Sequence, residues 1–504
     1  MNFPNTYKIQ LTMRKSAGII AIVLMLFFSC RQKNTDDTTH EYYVSVTGND
    51  AASGSKASPF KTIERLNSVQ LRAGDHVYFS GGETFVGTIK LDSSENGSAL
   101  KPIVITSYGE GKAIIQSRNE SGLITDRNSF LQVSNLCFIG SGRKDGNTKS
   151  GVNIIFSKEV TIDSLEIKGY QKAGLLIYSS HDVVVKNVLA QENGYAGISV
   201  DAEYMTYNSY NILVQKCMAN GNPGDPSNKD NHSGNGIIAG YCKKVTIEYC
   251  TASDNGWDMP RIGNGPVGIW AYECDSVIIQ HCISHDNKTS KGGMDGGGFD
   301  FDGGVKNSVI QHCLSYNNEG AGFGIFQYAG ASEWKNNTIR NCISENDGLV
   351  SNAKANILVW NSSKDASQFR DCYFYNNTVY NDYAPAIAYA KDSEHKNFVF
   401  SKNIFVAKND LFRDWKYERN GSVYKQNNWW SIEDGFNADG VRALANWSKK
   451  FRKEIVGDTL SGYNINPLFK AAGKTMLTSC DSLKRFDAYG TLLTEKGIGA
   501  NFNK

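Results

Sequence analysis

The stretch GIWAYECDSVIIQHCISHDN at residues 268–287 is followed at residues 298–320 by GFDFDGGVKNSVIQHCLSYNNEG, which repeats the same order of residue types. Each copy begins with a four-residue strand after the glycine, turns, and continues as a second alternating strand. A polar turn with Asn or Asp and a short third strand complete the copy. Further copies begin at Gly174, Gly236, Gly322 and Asn356. The shortest copies recur every 23 or 24 residues, a period typical of solenoid proteins.

No single copy has enough apolar residues to bury a core of its own. Stacked copies do, because the inward side chains of each repeat cover those of the next. The strands are short, number at least three per repeat, and have no helix-length segment between them. The pattern therefore predicts an all-β, single-stranded parallel β-helix with one coil per repeat and neighbouring coils about 4.8 Å apart.

Composition excludes several other classes of protein. The 504 residues are 21% charged and 40% hydrophobic, which argues against a disordered chain or a multi-span membrane protein. The 53 basic and 51 acidic side chains leave a net charge of +2, so charge gives no reason to expect a nucleic-acid partner.

The first 40 residues predict export. An apolar run over residues 17–28 follows Arg14 and Lys15 and is too short to span a bilayer, as in a secretory signal. Because a small residue directly precedes Cys30, we predict a lipoprotein signal over residues 1–30, with Cys30 lipidated. Residues 31–40 would form a polar tether at the bacterial outer membrane. Ordinary cleavage near Ser29 is the alternative.

The ends of the repeat region differ from its middle. Residues 41–120 contain a predicted strand at 42–45 and a predicted short helix near 62–70, and we interpret them as an N-terminal cap with the first coils. Residues 121–410 are the repeats expected to carry the active face. Residues 411–504 lose the repeat and are expected to form a C-terminal cap around four tryptophans: Trp415, Trp429, Trp430 and Trp447.

Cysteines recur at matching places in the repeats. Cys217, Cys250, Cys282, Cys313, Cys342 and Cys372 are aligned at one position, and Cys242 and Cys274 share another. We predict buried columns of unpaired thiols, because free cysteine is among the most buried residue types. Disulfides are the alternative, since stacked Cα atoms about 4.8 Å apart lie within bridging range.

Two segments carry a resemblance to known proteins. EYYVSVTGNDAASGSKASPFKTIERLNSVQLRAGDHVYFSGGETFVG at residues 41–87 resembles the opening of bacterial right-handed parallel β-helix proteins. GGGFDFDGGVKNSVIQHCLSYNNEGAGFGIFQYAG at residues 296–330 resembles a stretch common in the same superfamily, which includes secreted polysaccharide lyases and glycoside hydrolases. With the repeats, the likeness spans about residues 41–410. It implies a right-handed helix and a carbohydrate-active protein, but not one reaction.

Strand alternation predicts which side chains leave the coil. The first and third residues after each glycine are apolar and should point inward. The second and fourth should form two outward columns: Leu176, Ser199, Ile238, Trp270, Asp300, Gly324 and Leu358; and Tyr178, Asp201, Gly240, Tyr272, Asp302, Phe326 and Trp360. Exposed aromatic rings suit sugar faces, so we expect Trp270, Tyr272, Phe326 and Trp360 to bind substrate.

Four long insertions precede these strands, at residues 219–235, 253–267, 284–297 and 344–355. They either cover the face or wall it into a groove. Because they supply polar side chains rather than apolar ones, we favour a groove with His232, Arg261 and Lys291 as further substrate contacts.

Asp300 and Asp302 are the predicted catalytic pair. The two residues are two positions apart on one predicted strand, so their side chains share one face and their Cα atoms are separated by about 6.6 Å. Close carboxyls separate their pKa values, which makes one an acid and the other a base. Asp295 is a third candidate and Glu319 a weaker one. The pair would alternatively make a turn with the following glycines or bind Ca²⁺; no other cofactor is expected.

Three functions follow from these residues. The favoured one is a glycoside hydrolase that uses the aspartates. The second is β-elimination on a uronic-acid glycan, by a lyase or a dehydratase, which needs a base and a cation that neutralises the carboxylate. Candidates for those roles are His232, Arg261, His285, Lys291, Tyr272 and Tyr328. The third is a non-catalytic surface protein that binds glycans.

Overall fold

The computed structural model describes residues 39–350, 355–391, 393–467 and 469. They form a right-handed parallel β-helix in which each coil contributes one strand to each of three parallel sheets. The predicted fold class is therefore confirmed. The predicted signal, the lipidation site Cys30 and most of the polar tether lie outside the described residues. Among the described residues, no helix has the length and apolar character needed to cross a membrane.

Sheet I has fourteen strands and follows sheet II in each coil. Its strands are Glu41–Val44, His76–Ser80, Ile103–Tyr108, Ser129–Ser134, Lys158–Asp163, His181–Lys186, Ser209–Gln215, Cys242–Glu248, Ile278–Gln280, Val309–Gln311, Trp334–Arg340, Phe369–Tyr375, Lys396–Ser401 and Ser422–Lys425. Inward residues such as Val245 and Ile279 are fully buried and alternate with outward polar ones.

Sheet II has twelve strands and carries the candidate site. Its strands are Ile89–Lys90, Leu123–Asp126, Val152–Ile155, Ala173–Tyr178, Ala196–Asp201, Asn235–Gly240, Val267–Tyr272, Gly297–Phe301, Phe323–Gln327, Ile357–Asn361, Ile387–Tyr389 and Phe412–Arg413. In the central coils even the outward residues are largely buried, because the insertions stand over them.

Sheet III has thirteen strands and closes each coil. Its strands are Thr84–Val86, Ala113–Arg118, Leu136–Gly140, Glu166–Lys168, Leu189–Gln191, Met218–Asn220, Thr251–Ser253, Ile283–His285, Leu314–Tyr316, Ile343–Glu345, Thr378–Tyr380, Ile404–Ala407 and Asn428–Ser431. Its short strands lead through an asparagine turn into the next strand of sheet II.

The N-terminal end is covered by a short helix. Helix Ile63–Asn67 begins at Thr62, whose Oγ1 accepts a hydrogen bond from the Arg65 N–H, and it buries Ile63 and Leu66 against the first coil. It lies where the sequence predicted a helix. That this helix caps the first coil stays a prediction.

The β-helix continues past residue 410, where the sequence repeat fades. Strands Phe412–Arg413, Ser422–Lys425 and Asn428–Ser431 still pair with the preceding coil, so the last coil ends at Ser431. A short 3₁₀ helix, Trp415–Tyr417, lies within that coil. In this coil aromatic side chains replace the repeat's small apolar residues, so its sequence no longer matches the motif.

Beyond the last coil, helix Leu444–Phe451 packs its Trp447 onto the end of the core, and strands Ile455–Val456 and Thr459–Leu460 form a small antiparallel hairpin. Trp415, Trp429 and Trp447 are buried, whereas Trp430 is only half-buried. The aromatic cluster closes this end of the described β-helix.

Unpaired thiols form a column, as the sequence predicted. All nine cysteines of the described part of the chain are buried and free. The Cys217 N–H faces the Cys250 Sγ at 3.4 Å, and the column continues through Cys282, Cys313 and Cys342. Cys242 and Cys274 form the second column, with a 3.3 Å N–H to Sγ contact.

Cys372 does not belong to that column, so its predicted alignment is wrong. It lies inside strand Phe369–Tyr375 and pairs with Asn337. Asn377 takes the next place in the thiol column, where its Oδ1 accepts the Cys342 N–H at 2.9 Å. Asparagine fits there because its side chain satisfies the same backbone donor that a thiol faces in earlier coils.

A buried asparagine ladder lies between sheets III and II. Each side-chain oxygen accepts hydrogen bonds from both the backbone N–H and the side-chain amide of the preceding member. The members are Asn193, Asn222, Asn255, Asn287, Asn318 and, at the end, Asp347. The ladder satisfies the polar groups of turns that are buried between coils.

Candidate active site

The register of sheet II places the outward residues as the alternation predicts. Trp270 pairs with Asp300, and Asp300 pairs with Gly324. Phe326 pairs with Trp360 in the second column. The intervening Phe299 and Phe301 are fully buried in the core, among residues that should point inward. Both aspartates therefore leave the coil on one face.

A cleft of about 460 Å³ lies over this face. Its floor comes from consecutive strands of sheet II, and its walls come from three of the four insertions. The wall residues are His232, Asn264, Gly265, Met294 and Asp295. The floor includes Trp270, Asp300, Asp302, Gly324, Phe326, Leu358, Trp360 and Ala388, and the far end is lined by Tyr389, Ala390, Lys391, Arg413 and Asp414. The insertions thus form a groove and do not seal the sheet.

Asp300 is the most buried of the acids. Only 3% of its surface is exposed, and its Oδ1 has no hydrogen-bond partner among the described residues. Gly324 makes room for it, since a Cβ at that glycine would lie 2.9 Å from Oδ1. Burial raises the pKa of Asp300 well above its usual value, and the charges of Asp302 and Asp295 raise it further. Asp300 therefore tends to remain protonated.

Asp302 directly follows the same strand and is half-buried. Its Oδ1 accepts the Gly303 N–H at 2.7 Å. Burial raises its pKa to about 7; that hydrogen bond works in the opposite direction, while the charges of Asp295 and Glu273 add to the rise. The group is thus able to hold or release a proton near neutral pH.

Asp295 reaches the cleft from the insertion wall. Its backbone has φ +61°, and its Oδ2 accepts the Gly265 N–H of the neighbouring insertion at 2.7 Å. Burial raises its pKa to about 6, although that hydrogen bond and the charge of Arg261 lower it. Three carboxyls that perturb one another therefore converge on one cleft, an arrangement suited to acid–base chemistry.

The aromatic floor has two parts. Trp270 is buried, donates from Nε1 to the Asn235 Oδ1 at 3.1 Å, and meets the edge of His232 at 4.7 Å. Phe326 lies one coil beyond Asp302 and Trp360 two coils beyond it, and their rings stand perpendicular with centroids 6.0 Å apart. Burial, with the charge of Arg261, lowers the pKa of His232 to about 3, so this imidazole is neutral.

Tyr272 does not line the cleft. Its ring lies over Gly240, the residue before it in the same column, and it interacts electrostatically with Asp201, which lies one coil further back. Burial raises the pKa of Asp201 to about 7. The missing side chain at Gly240 decides this orientation, which strand alternation alone does not reveal.

The remaining candidates lie around the cleft. Arg261 is half-buried behind the wall and donates to the Asn264 carbonyl at 3.4 Å, whereas Lys291 is exposed; neither lines the cleft. Glu319 accepts the Thr289 N–H at 2.7 Å and so holds an insertion in place. His285 stacks on Tyr316 at 4.6 Å on sheet III.

Several cleft residues escaped the sequence analysis. Lys391, Arg413 and Asp414 lie after Leu358 and Trp360, where the predicted outward columns end, so neither column included them. Among the described residues no three His, Cys, Asp or Glu side chains are arranged to hold a metal ion. Binding of Ca²⁺ by the aspartates stays a prediction.

The fold and cleft define a parallel β-helix protein with an acidic, aromatic groove. A family model described as the Pel9A-like right-handed β-helix region matches residues 42–356, and the chain belongs to this family. The match confirms the resemblance that residues 41–87 and 296–330 carry. None of the curated proteins matches the sequence.

Solved structures share the fold. One is the GH136 lacto-N-biosidase from Eubacterium ramulus, with 17% identity, a TM-score of 0.51, and coverage of 77% of this chain and 67% of that one. The catalytic domain of a GH87 α-1,3-glucanase in complex with nigerose has 14% identity, a TM-score of 0.50, and coverage of 79% and 70%. Pectate lyase Pel9A has 15% identity, a TM-score of 0.39, and coverage of 81% and 82%. Identities this low show the fold alone.

Proposed function

We propose that the protein is a carbohydrate-active enzyme that hydrolyses glycosidic bonds in an oligo- or polysaccharide. The observation that carries the proposal is the convergence of Asp295, Asp300 and Asp302 in one cleft, each with a raised pKa. Glycoside hydrolysis needs one protonated carboxyl and one ionised carboxylate at the scissile bond.

The environments of the acids suggest their roles. Asp302 keeps its proton to a higher pH than Asp295, so it suits the general acid that protonates the leaving oxygen. Asp295, which ionises first, suits the base or nucleophile on the other side of the bond. Asp300 lies deepest and remains neutral. Its carboxyl therefore adds little negative charge beside the other two acids, and its O–H is available as a hydrogen-bond donor.

The aromatic residues supply the binding surface. Trp270 lies one coil to one side of the aspartates, and Phe326 and Trp360 lie one and two coils to the other. Rings on both sides of the acids would position sugars across the scissile bond, which accounts for a cleft longer than the catalytic centre.

The test compares Asp302→Asn and Asp295→Asn with the wild type on neutral and uronic-acid glycans. Release of reducing ends without ultraviolet absorbance of an unsaturated uronate is expected, and each variant should lose at least about a hundredfold in rate. Asp286→Asn is the control, because Asp286 directly follows the sheet III strand Ile283–His285, lies outside the cleft lining and has a side chain that is 41% exposed. Near-normal rates in both cleft variants would remove the proposal.

A second candidate is β-elimination on a uronic-acid glycan. Lys391 and Arg413 at the far end of the cleft favour it, because they supply cations that could neutralise the substrate carboxylate. Absorbance of unsaturated products in the same assay would select this reaction over hydrolysis. Binding of glycan without either signal would instead select a binding protein.

We also propose that the chain is exported and held at the outer membrane through Cys30. The support is the sequence alone: an apolar run of secretory length that ends at a small residue before this cysteine. Cells labelled with a fatty acid should mark the wild-type protein and not Cys30→Ser. Labelling that persists in the variant would contradict the anchor.

A further inference from the structure

A tight turn follows Asp302 and holds its carboxylate. The Gly303 N–H donates to Asp302 Oδ1 at 2.7 Å, and the Gly304 N–H donates to Gln327 Oε1 at 3.1 Å. Gly304 has φ +75°, a conformation that side chains other than glycine rarely adopt. The position of the proposed general acid therefore depends on this turn.

Two side chains press on the turn from behind. The ring of Tyr328 lies against Gly303, where a Cβ would come within 2.5 Å of it. The carboxylate of Glu273 lies against Gly304 so closely that a Cβ there would overlap it. Both glycines are thus required by their neighbours, and the turn has no room to relax.

Glu273 is an unusual residue to place there. It is 4% exposed, and Oε1 accepts hydrogen bonds from the Tyr328 hydroxyl at 3.2 Å and the Ser332 N–H at 2.9 Å. Its Oε2 has no hydrogen-bond partner, and no cation lies within ion-pair distance among the described residues. A buried carboxylate with so few partners lowers stability, which argues for a role beyond packing.

We propose that Glu273, held by Tyr328, is a positioning residue for Asp302: the pair clamps the turn that orients the Asp302 carboxyl. The inference rests on the proposed function, since it concerns the same acid. The pKa of Asp302 is raised in part by the charge of Glu273, which agrees with the contact geometry. Tyr207 and Tyr241 also face this carboxylate.

The first test is the pH profile of Glu273→Gln. The amide keeps the shape and removes the charge, so Asp302 should lose its proton at lower pH. The alkaline limb of kcat/KM should move down by about half a unit or more, with little change in KM. Glu95→Gln, a buried glutamate held by the Leu71 and Asp92 N–H groups, is the matched control and should leave the limb in place.

A second test needs no activity. The difference in Tm between the wild type and Asp302→Asn, followed against pH, reports the pKa of Asp302 in the folded chain. The same difference in a Glu273→Gln background should change over a lower pH range. If Glu273→Gln does not fold, Tyr328→Phe replaces it: Oε1 then keeps only the Ser332 N–H, and the pH range over which the difference changes should move away from that of the wild type.

The outcomes separate the two proposals. An unmoved limb and an unmoved Tm difference would overturn the role of Glu273 even where Asp302→Asn abolishes turnover. Near-normal rates in both Asp302→Asn and Asp295→Asn would instead overturn the proposed function, while the Tm measurement would still decide whether Glu273 acts on Asp302.

Discussion

Asp300 and Asp302 differ only in their surroundings. They lie two residues apart on one face, yet Asp300 is closed in by Gly324 and its neighbours, whereas Asp302 keeps partial exposure and a backbone hydrogen bond. The environment therefore makes the protonation of two identical side chains different. Asp295, which the sequence offered as a third choice, lies with them in the cleft.

The staggered acids predict a narrow pH optimum. Asp295 should ionise near pH 6 and Asp302 should lose its proton near pH 7, so kcat/KM should peak between these values and fall on both sides. The limbs belong to the coupled group rather than to single residues. Initial rates across the pH range check this, and a rate that stays flat from pH 5 to pH 9 would contradict it.

The burial of Asp300 predicts a stability effect of definite sign. Because its pKa is raised in the folded state, its contribution to stability is present below the unfolded pKa and is lost as pH rises towards the folded pKa. The Tm of Asp300→Asn relative to that of the wild type should therefore increase as pH rises above about 4, the usual value of an unfolded aspartate.

Asp50 provides the opposite control. Burial opposes its ionisation, but hydrogen bonds from the Lys61 N–H and from the Thr62 N–H and hydroxyl lower its pKa overall. The Tm of Asp50→Asn should therefore be lower than that of the wild type above the unfolded pKa, and the difference should shrink as pH falls. A Tm difference for Asp300→Asn that is independent of pH would refute the assignment.

At the scale of the element, the hydrogen-bonded ladders between coils decide which residue types can occupy each turn. The thiol column ends at Cys342 because Asn377 takes the next place, and Cys372 falls inside a strand. In the sequence alignment, Cys372 follows Cys342 because both are cysteines. In the structure, Asn377 follows Cys342 instead, because its side chain accepts a backbone N–H as the thiols do.

The asparagine ladder predicts a large local cost for its removal. Asn287→Ala leaves the buried Asn255 donors without their acceptor and removes the amide that reaches Asn318, which should lower the free energy of unfolding by about 2–4 kcal/mol. Chemical denaturation measures the change. Asn208→Ala, in the exposed loop before strand Ser209–Gln215, should cost less than about 0.5 kcal/mol; equal costs would contradict the role of the ladder.

At the scale of the molecule, the cleft is longer than its acidic centre. From the strand of Trp270 to the strand of Arg413 it crosses five coil steps, or roughly 24 Å at the spacing of parallel strands. A cleft of this length has room for an extended chain of sugars, with the acids nearer one end.

The position of Trp360 predicts dependence on substrate length. It lies two coils from Asp302, so Trp360→Ala should raise KM for long oligosaccharides by up to about tenfold and hardly affect the shortest cleaved substrate. Kinetics on a size series measures this. Trp257→Ala, an exposed tryptophan outside the cleft lining, is the control, and a uniform effect of Trp360→Ala on all lengths would contradict the subsite.

The repeats alone determined the β-helix, the inward and outward columns and the face that carries the aspartates. Stacking requires each coil to place apolar residues inward at a period of two, so that information is local and is repeated in every copy. The tertiary structure decided the rest. It brought Asp295 from an insertion into the cleft, turned Tyr272 onto Gly240, placed Glu273 behind Asp302 and added Lys391 and Arg413 at the far end. These placements depend on where neighbouring coils have glycine in place of a larger residue and on how the insertions fold. The periodicity of the strands does not predict either.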